Sequence, residues 1–154
     1  MRQKESFLQK KVRTSINAIF PKKAYTIKTH GDRYTAPGIP DILACVMGVF
    51  IGIECKMWRG RPTESQILNL RDIDRAGGIA VYVIWDKENN KYYWVDATAP
   101  FTYRARAHWT ECCELNHTLP SGKTIKIIDC TYLMARLINK KTNIKDTISN
   151  ANKN

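Results

Sequence analysis

Leu8, Val12, Ile16 and Ile19 recur at helical spacing between Gln3 and Phe20, and Pro21 closes the run, so this stretch predicts an amphipathic helix. Ala24 to His30 alternates as a strand does, and Gly31 to Ile39, with two glycines and a proline, reads as a loop. Two apolar runs follow, Asp41 to Val46 and Val49 to Lys56, separated by Met47-Gly48 in the pattern of a buried hairpin. Thr63 to Ala76 predicts a second helix with Ile67, Leu70 and Ile73 inward, and Gly77-Gly78 supplies its C-cap signal. Ile79 to Trp85 is a fully apolar strand, and Lys91 to Val95 returns from it across the turn Asp86 to Asn90. The order is α-β-β-β-α-β with an extra strand, which predicts an α/β fold.

Beyond Pro100 the pattern weakens. Phe101 to Leu115 is expected as a helix, Thr124 to Ile128 as a strand, and Cys130 to Asn139 as a helix with Asp129 as its N-cap. Residues 140–154, rich in Lys and Asn, are expected to fray. The chain divides into a core, 1–100, and an extension, 101–154, packed on the same domain and ending in a basic tail.

Composition narrows the class. A chain of 154 residues is one domain, and 44% hydrophobic residues exclude a charged disordered tail. No apolar run approaches the ~18 residues of a membrane span, and Met1-Arg2-Gln3-Lys4-Glu5 leads into a mixed polar segment. A soluble, cytoplasmic protein of bacterial or phage-infected cells is expected, without membrane or small-molecule cofactor. The five cysteines are odd in number, and Cys45 and Cys55 lie in strand-like apolar runs, so no disulfide framework is implied. The net charge of +11 is uneven, at +7 over residues 1–33, −1 over 34–119 and +5 over 120–154. A basic periphery around a near-neutral centre suits a phosphate-binding rim around a site with its own carboxylates.

The hairpin supplies those carboxylates. With its turn centred between Met47 and Gly48, Asp41 stands opposite Glu54, and Lys56 points to the same side. Residues Ile42, Ala44, Val46, Val49, Ile51, Ile53 and Cys55 make a wholly apolar opposite face that must pack on a helix. Two carboxylates this close repel unless a proton or a cation lies between them, and a hard divalent ion, Mg²⁺ or Mn²⁺, suits them. Such an ion with a neighbouring lysine is equipment for phosphodiester hydrolysis. On spacing alone, Asp41 as a turn residue and Glu54 with Lys56 as a salt-bridged strand ending is the competing reading.

Pro40-Asp41, twelve intervening residues and Glu54-Cys55-Lys56 resemble the PD-(D/E)XK nuclease signature. The flanking Gly38-Ile39-Pro40-Asp41 and Gln66 resemble its VRR-NUC branch, the virus-type replication-repair nucleases, over residues 1–95. The resemblance implies a restriction-endonuclease-like αβββαβ core, a central mixed sheet flanked by helices, and a metal-dependent DNA endonuclease. It implies Asp41, Glu54 and the backbone carbonyl of Cys55 as metal ligands, Lys56 as the catalytic lysine and Gln66 as a water-positioning residue. Thr63-Glu64-Ser65-Gln66 is also a capping box in which Gln66 ties back to the helix start. Glu5, the one acid in the first 31 residues, falls on the inward stripe of the first helix, where related nucleases often supply a further carboxylate. By the same resemblance the substrate is branched DNA such as Holliday junctions, cut by a homodimer.

For the DNA surface the sequence nominates Arg59 and Arg61 beside Lys56, Lys28 and Arg33 near the loop, and Lys10, Lys11, Lys22 and Lys23 at the basic N-terminal end. A binding module for DNA or RNA with no reaction remains the rival reading. His108, Cys112, Cys113 and His117 lack the paired spacing of a zinc site.

Overall fold

The structure, a computed structural model describing residues 2–29 and 36–153, buries Leu8, Val12 and Ile16 on one face of α1 (Arg2–Ile19). Three antiparallel strands follow: β1 (Ala24–Lys28), β2 (Ile42–Val46) and β3 (Val49–Met57). The helix α2 (Glu64–Arg75) then crosses over to β4 (Ile79–Asp86), which pairs with β3 in parallel. Two antiparallel strands, β5 (Lys91–Asp96) and β6 (Trp109–Cys112), complete a six-stranded mixed sheet in the order β1-β2-β3-β4-β5-β6. A separate pair, β7 (Glu114–Thr118) with β8 (Thr124–Ile128), leads into α3 (Thr131–Ala151). The protein is therefore mixed α/β, with a central mixed sheet flanked by helices. Among the described residues no helix is long and apolar enough to cross a membrane.

The β2–β3 hairpin has the register read from its apolar alternation, Val46 opposite Val49 and Ile42 opposite Ile53. Met47 and Gly48 both have positive φ, 53° and 83°, the geometry of a two-residue turn that matches strand twist. The apolar face, Ile42, Ala44, Val46, Ile51, Ile53 and Cys55, packs with α1 and with Leu133 and Leu137 of α3. On the other face Leu70 of α2, Tyr82, Ile84, Val95 and Trp109 form a second cluster. The sheet is thus a wall between two cores.

α2 has the ends its sequence specifies. Thr63 and Gln66 form a reciprocal capping box, and Gly77, at φ 97°, makes a Schellman ending in which Gly78 N–H donates to Ile73 O at 2.9 Å.

The second half corrects several expectations. Phe101–Leu115 is not a helix: residues 101–108 are irregular, and Trp109–Cys112 adds to the edge of β5. The reason is aromatic packing, because Tyr103 and Trp109 pack on Trp58, Trp109 also on Tyr93, and Phe101 on Tyr82 and Trp109, and a helix would turn some of them to solvent. The N-cap of α3 is Cys130, one residue later than expected, although the Asp129 carboxylate still accepts from Thr131 N–H at 2.9 Å. Residues 140–151 continue α3 as an exposed helix where fraying was expected. β1 stops at Lys28, and His30 and the loop residues 31–35 lie outside the described residues. Residues past 100 are tied to the α1 side of the sheet, where Trp94 Nε1 donates to Asp129 O at 2.9 Å and Ile128 N–H donates to Ser15 Oγ at 2.9 Å.

Candidate active site

Asp41 lies one residue before β2, where Thr29 N–H donates to its carbonyl at 2.9 Å and continues the β1–β2 pairing. Past Ile42 the hairpin partner of β3 runs out, and the Asp41 carboxylate takes the Cys55 N–H at 2.9 Å. Strand alternation puts Gly52, Glu54 and Lys56 on the α2 side. A Cβ on Gly52 would meet Ile73 Cδ1 at 2.5 Å and Pro40 Cγ at 3.2 Å, so this glycine lets α2 lie close against β3. That approach delivers Gln66 to Glu54.

Glu54 is 1% exposed. Its Oε1 accepts from Gln66 Nε2 at 3.0 Å and lies 3.5 Å from Lys56 Nζ, while Oε2 is buried without a hydrogen-bond partner among the described residues. Burial first, then the neighbouring Asp41 carboxylate, push the Glu54 carboxyl up to about 9, against the smaller opposing effect of Lys56. Without a cation, these surroundings favour the protonated form of Glu54. Tyr82, opposite Glu54 in the β3–β4 register, is raised to about 12 by burial and then by Glu54.

Gln66 caps α2 and at the same time reaches Glu54. Its Oε1 accepts from the Thr63 N–H at 2.9 Å, which orients the amide so that Nε2 faces Glu54. Upstream, Gly38 has φ 83°, and a Cβ there would stand 2.5 Å from the Ser65 carbonyl. Asn69 Nδ2 donates to Pro37 O at 3.2 Å, so the segment entering Asp41 docks on α2.

The other nominated residues are dispersed. Glu5 is half-buried in the first turn of α1, and its charge, after burial, Asp41 and Glu54, helps raise the buried Cys55 thiol. Among the described residues no group of three or more His, Cys, Asp or Glu side chains is gathered for a metal. Arg59 and Arg61 are exposed on the link after β3, which Tyr103 braces by donating to Gly60 O at 2.7 Å. Lys28 donates to Ser6 Oγ at 3.0 Å, and Lys10, Lys22 and Lys23 are exposed. Lys11 is not a free surface cation: it pairs with Glu114, which also accepts from Tyr92 Oη at 2.8 Å. Arg33 lies outside the described residues. The roles of Gly52 and of the Cys55 N–H were missed; a glycine inside an apolar strand was the available signal for the first.

No protein-family model matches the sequence, and no curated protein matches it. Among solved structures, Hjc from Archaeoglobus fulgidus, described as a Holliday junction resolvase from an archaeal hyperthermophile, is similar over 81% of this chain and 92% of the Hjc chain. The identity is 15% and the TM-score 0.44.

Proposed function

We propose that this chain is a divalent-cation-dependent DNA endonuclease of the PD-(D/E)XK kind. The observation that carries the reading is the bare Oε2 of buried Glu54 beside Asp41. A dry carboxylate oxygen with no partner costs about 1–3 kcal/mol or more, unless a proton or cation takes it. The donors are hard oxygens and suit Mg²⁺ or Mn²⁺. Asp41, Glu54 and the Cys55 carbonyl would hold the ion. In an extended strand the N–H and C=O of one residue point to the same edge, and the Cys55 N–H already faces Asp41. When bound, the cation neutralises the phosphodiester and lowers the pKa of a water for attack at phosphorus.

The chain's own groups do the rest. Lys56 brings an ammonium to the side of Glu54 where negative charge develops, and Gln66 fixes the Glu54 carboxylate by holding Oε1. Glu5 adds negative potential from α1, and Arg59 and Arg61 grip phosphates beside the site. By the motif resemblance the substrate is branched DNA, and a homodimer supplies two sites for a two-fold junction.

The test is cleavage of branched, flapped and linear DNA with Mg²⁺, Mn²⁺ or EDTA. Asp41→Ala or Glu54→Ala is expected to abolish cleavage, while DNA affinity in EDTA stays the same or rises because a negative group has left a phosphate site. Lys56→Ala is expected to lose turnover and keep Mn²⁺ binding by calorimetry. DNA binding by the parent without metal-dependent cleavage, or substantial residual cleavage by either carboxylate variant, refutes the assignment.

A further inference from the structure

β3 and β4 run parallel, so their C-terminal ends meet at one edge of the sheet together with the start of α1. A cavity of about 580 Å³ opens there, walled by Trp58, Trp85 and Met57 and edged by Lys4, Arg59 and Lys87. Its volume falls within the range of small-ligand sites, and an indole wall beside cations is the equipment of single-strand recognition. Two carboxylates share the rim. Asp86 is occupied within its own turn, accepting from Asn89 Nδ2 at 2.8 Å and Asn89 N–H at 3.3 Å, which leaves Glu88 against three cations.

The wall is aromatic beyond the cavity itself. Trp85 stacks on Tyr92 at 5.8 Å and 1°, and Phe7, 54% exposed, lies 5.6 Å from Trp85 at its margin. Trp85 is 9% exposed, and its Nε1 has no hydrogen-bond partner among the described residues. Arg59 adopts φ 73°, a left-handed conformation costly for a residue with a side chain, and such strain gathers at functional positions. The cavity lies at the end of β3 that carries the candidate metal site: Met57 follows Lys56 but faces the other side of the sheet, and Trp58 and Arg59 carry the wall round the end of the strand. At ~3.3 Å per residue its wall begins about 10 Å along β3 from Glu54.

We infer that this cavity receives an unpaired nucleotide of the DNA strand whose neighbouring phosphate lies at Asp41 and Glu54. The inference rests on the nuclease reading for the identity of the strand and deepens it. The preferred substrate has single-stranded character beside the cut, and a fully paired duplex leaves the cavity empty. Base stacking tolerates any sequence, so the cavity selects DNA structure and not bases.

The experiment is a tryptophan-fluorescence titration of the full chain in EDTA with a single-stranded thymidine pentamer, and with a blunt duplex of equal length as comparison. Saturable quenching by the pentamer is expected, with the duplex giving little. Trp85→Phe, which keeps an aromatic ring against Tyr92 at the cost of some core packing, should remove most of that signal. Lys4→Ala with Lys87→Ala, both at exposed positions, should weaken pentamer binding about fivefold or more at low salt, whatever Trp85→Phe does to folding. Absent quenching, equal quenching by the duplex, or unchanged affinity in the lysine double variant overturns the inference. Because no metal or cleavage enters the assay, its failure is separable from failure of the nuclease reading.

Discussion

Glu54 concentrates the energetic conflict of the site in one side chain. An acid whose folded pKa, about 9, lies above its ordinary 4.5 is favoured in its protonated form by folding. Its stabilising effect is complete below about pH 4.5 and is lost as pH rises toward 9. In EDTA, stability from denaturant unfolding is therefore expected to fall between pH 5 and 8.5, whereas Glu54→Gln, neutral throughout, should lack that slope. An ion bound to Glu54 and Asp41 displaces the proton, so Mn²⁺ affinity is expected to strengthen over the same interval. A parent protein whose pH dependence in EDTA matches Glu54→Gln would mean that Glu54 is ionised without metal.

At the scale of elements, the site is a junction of three pieces: the end of β3, the start of α2 and the segment ahead of β2. Gly52 lets α2 approach, the capping box aims Gln66, and Gly38 fits the entering segment against Ser65 and Asn69. Gly38→Ala meets both a left-handed φ of 83° and a main-chain oxygen at 2.5 Å. It is expected to cost about 1–3 kcal/mol in urea unfolding and to reduce cleavage more than that loss of folded protein explains, because Asp41 moves with the segment. Gly48→Ala is the comparison, since it shares the φ but has open space around its Cβ. Equal effects of the two on cleavage would remove docking on α2 from the account of how Asp41 is held.

Across the whole molecule, the surplus of +11 divides into cations with internal partners and cations facing solvent. Lys11 belongs to the first class through Glu114, whereas Lys10, Lys22 and Lys23 belong to the second. If the N-terminal end binds phosphates, replacing Lys10, Lys22 and Lys23 with Ala should flatten the log–log salt dependence of DNA binding by about 0.9 for each phosphate no longer neutralised. Lys11→Ala should instead lower stability, since it leaves Glu114 with Tyr92 alone in a partly buried position. An unchanged slope in the triple variant, measured by binding titrations across salt, would take this end off the DNA surface.

The sequence by itself determined the parts governed by local sterics and by alternation. The apolar residues Ile42 through Cys55 fixed the hairpin register, since a slip of one would have buried Asp41 and Glu54 in the α1 core. Thr63, Gln66 and Gly77 marked the ends of α2 because caps are satisfied within a few residues. The tertiary structure alone decided what depends on distant partners. Four residues, Trp109–Cys112, became a strand because β5 offered an open edge and an aromatic cluster needed closing. Lys11 was withdrawn from the surface by an acid 103 positions away. The gathering of Gln66, Lys56 and Asp41 around one buried carboxylate needed α2 to dock over Gly52. A periodic pattern states which face of an element is buried; only the folded chain states against what.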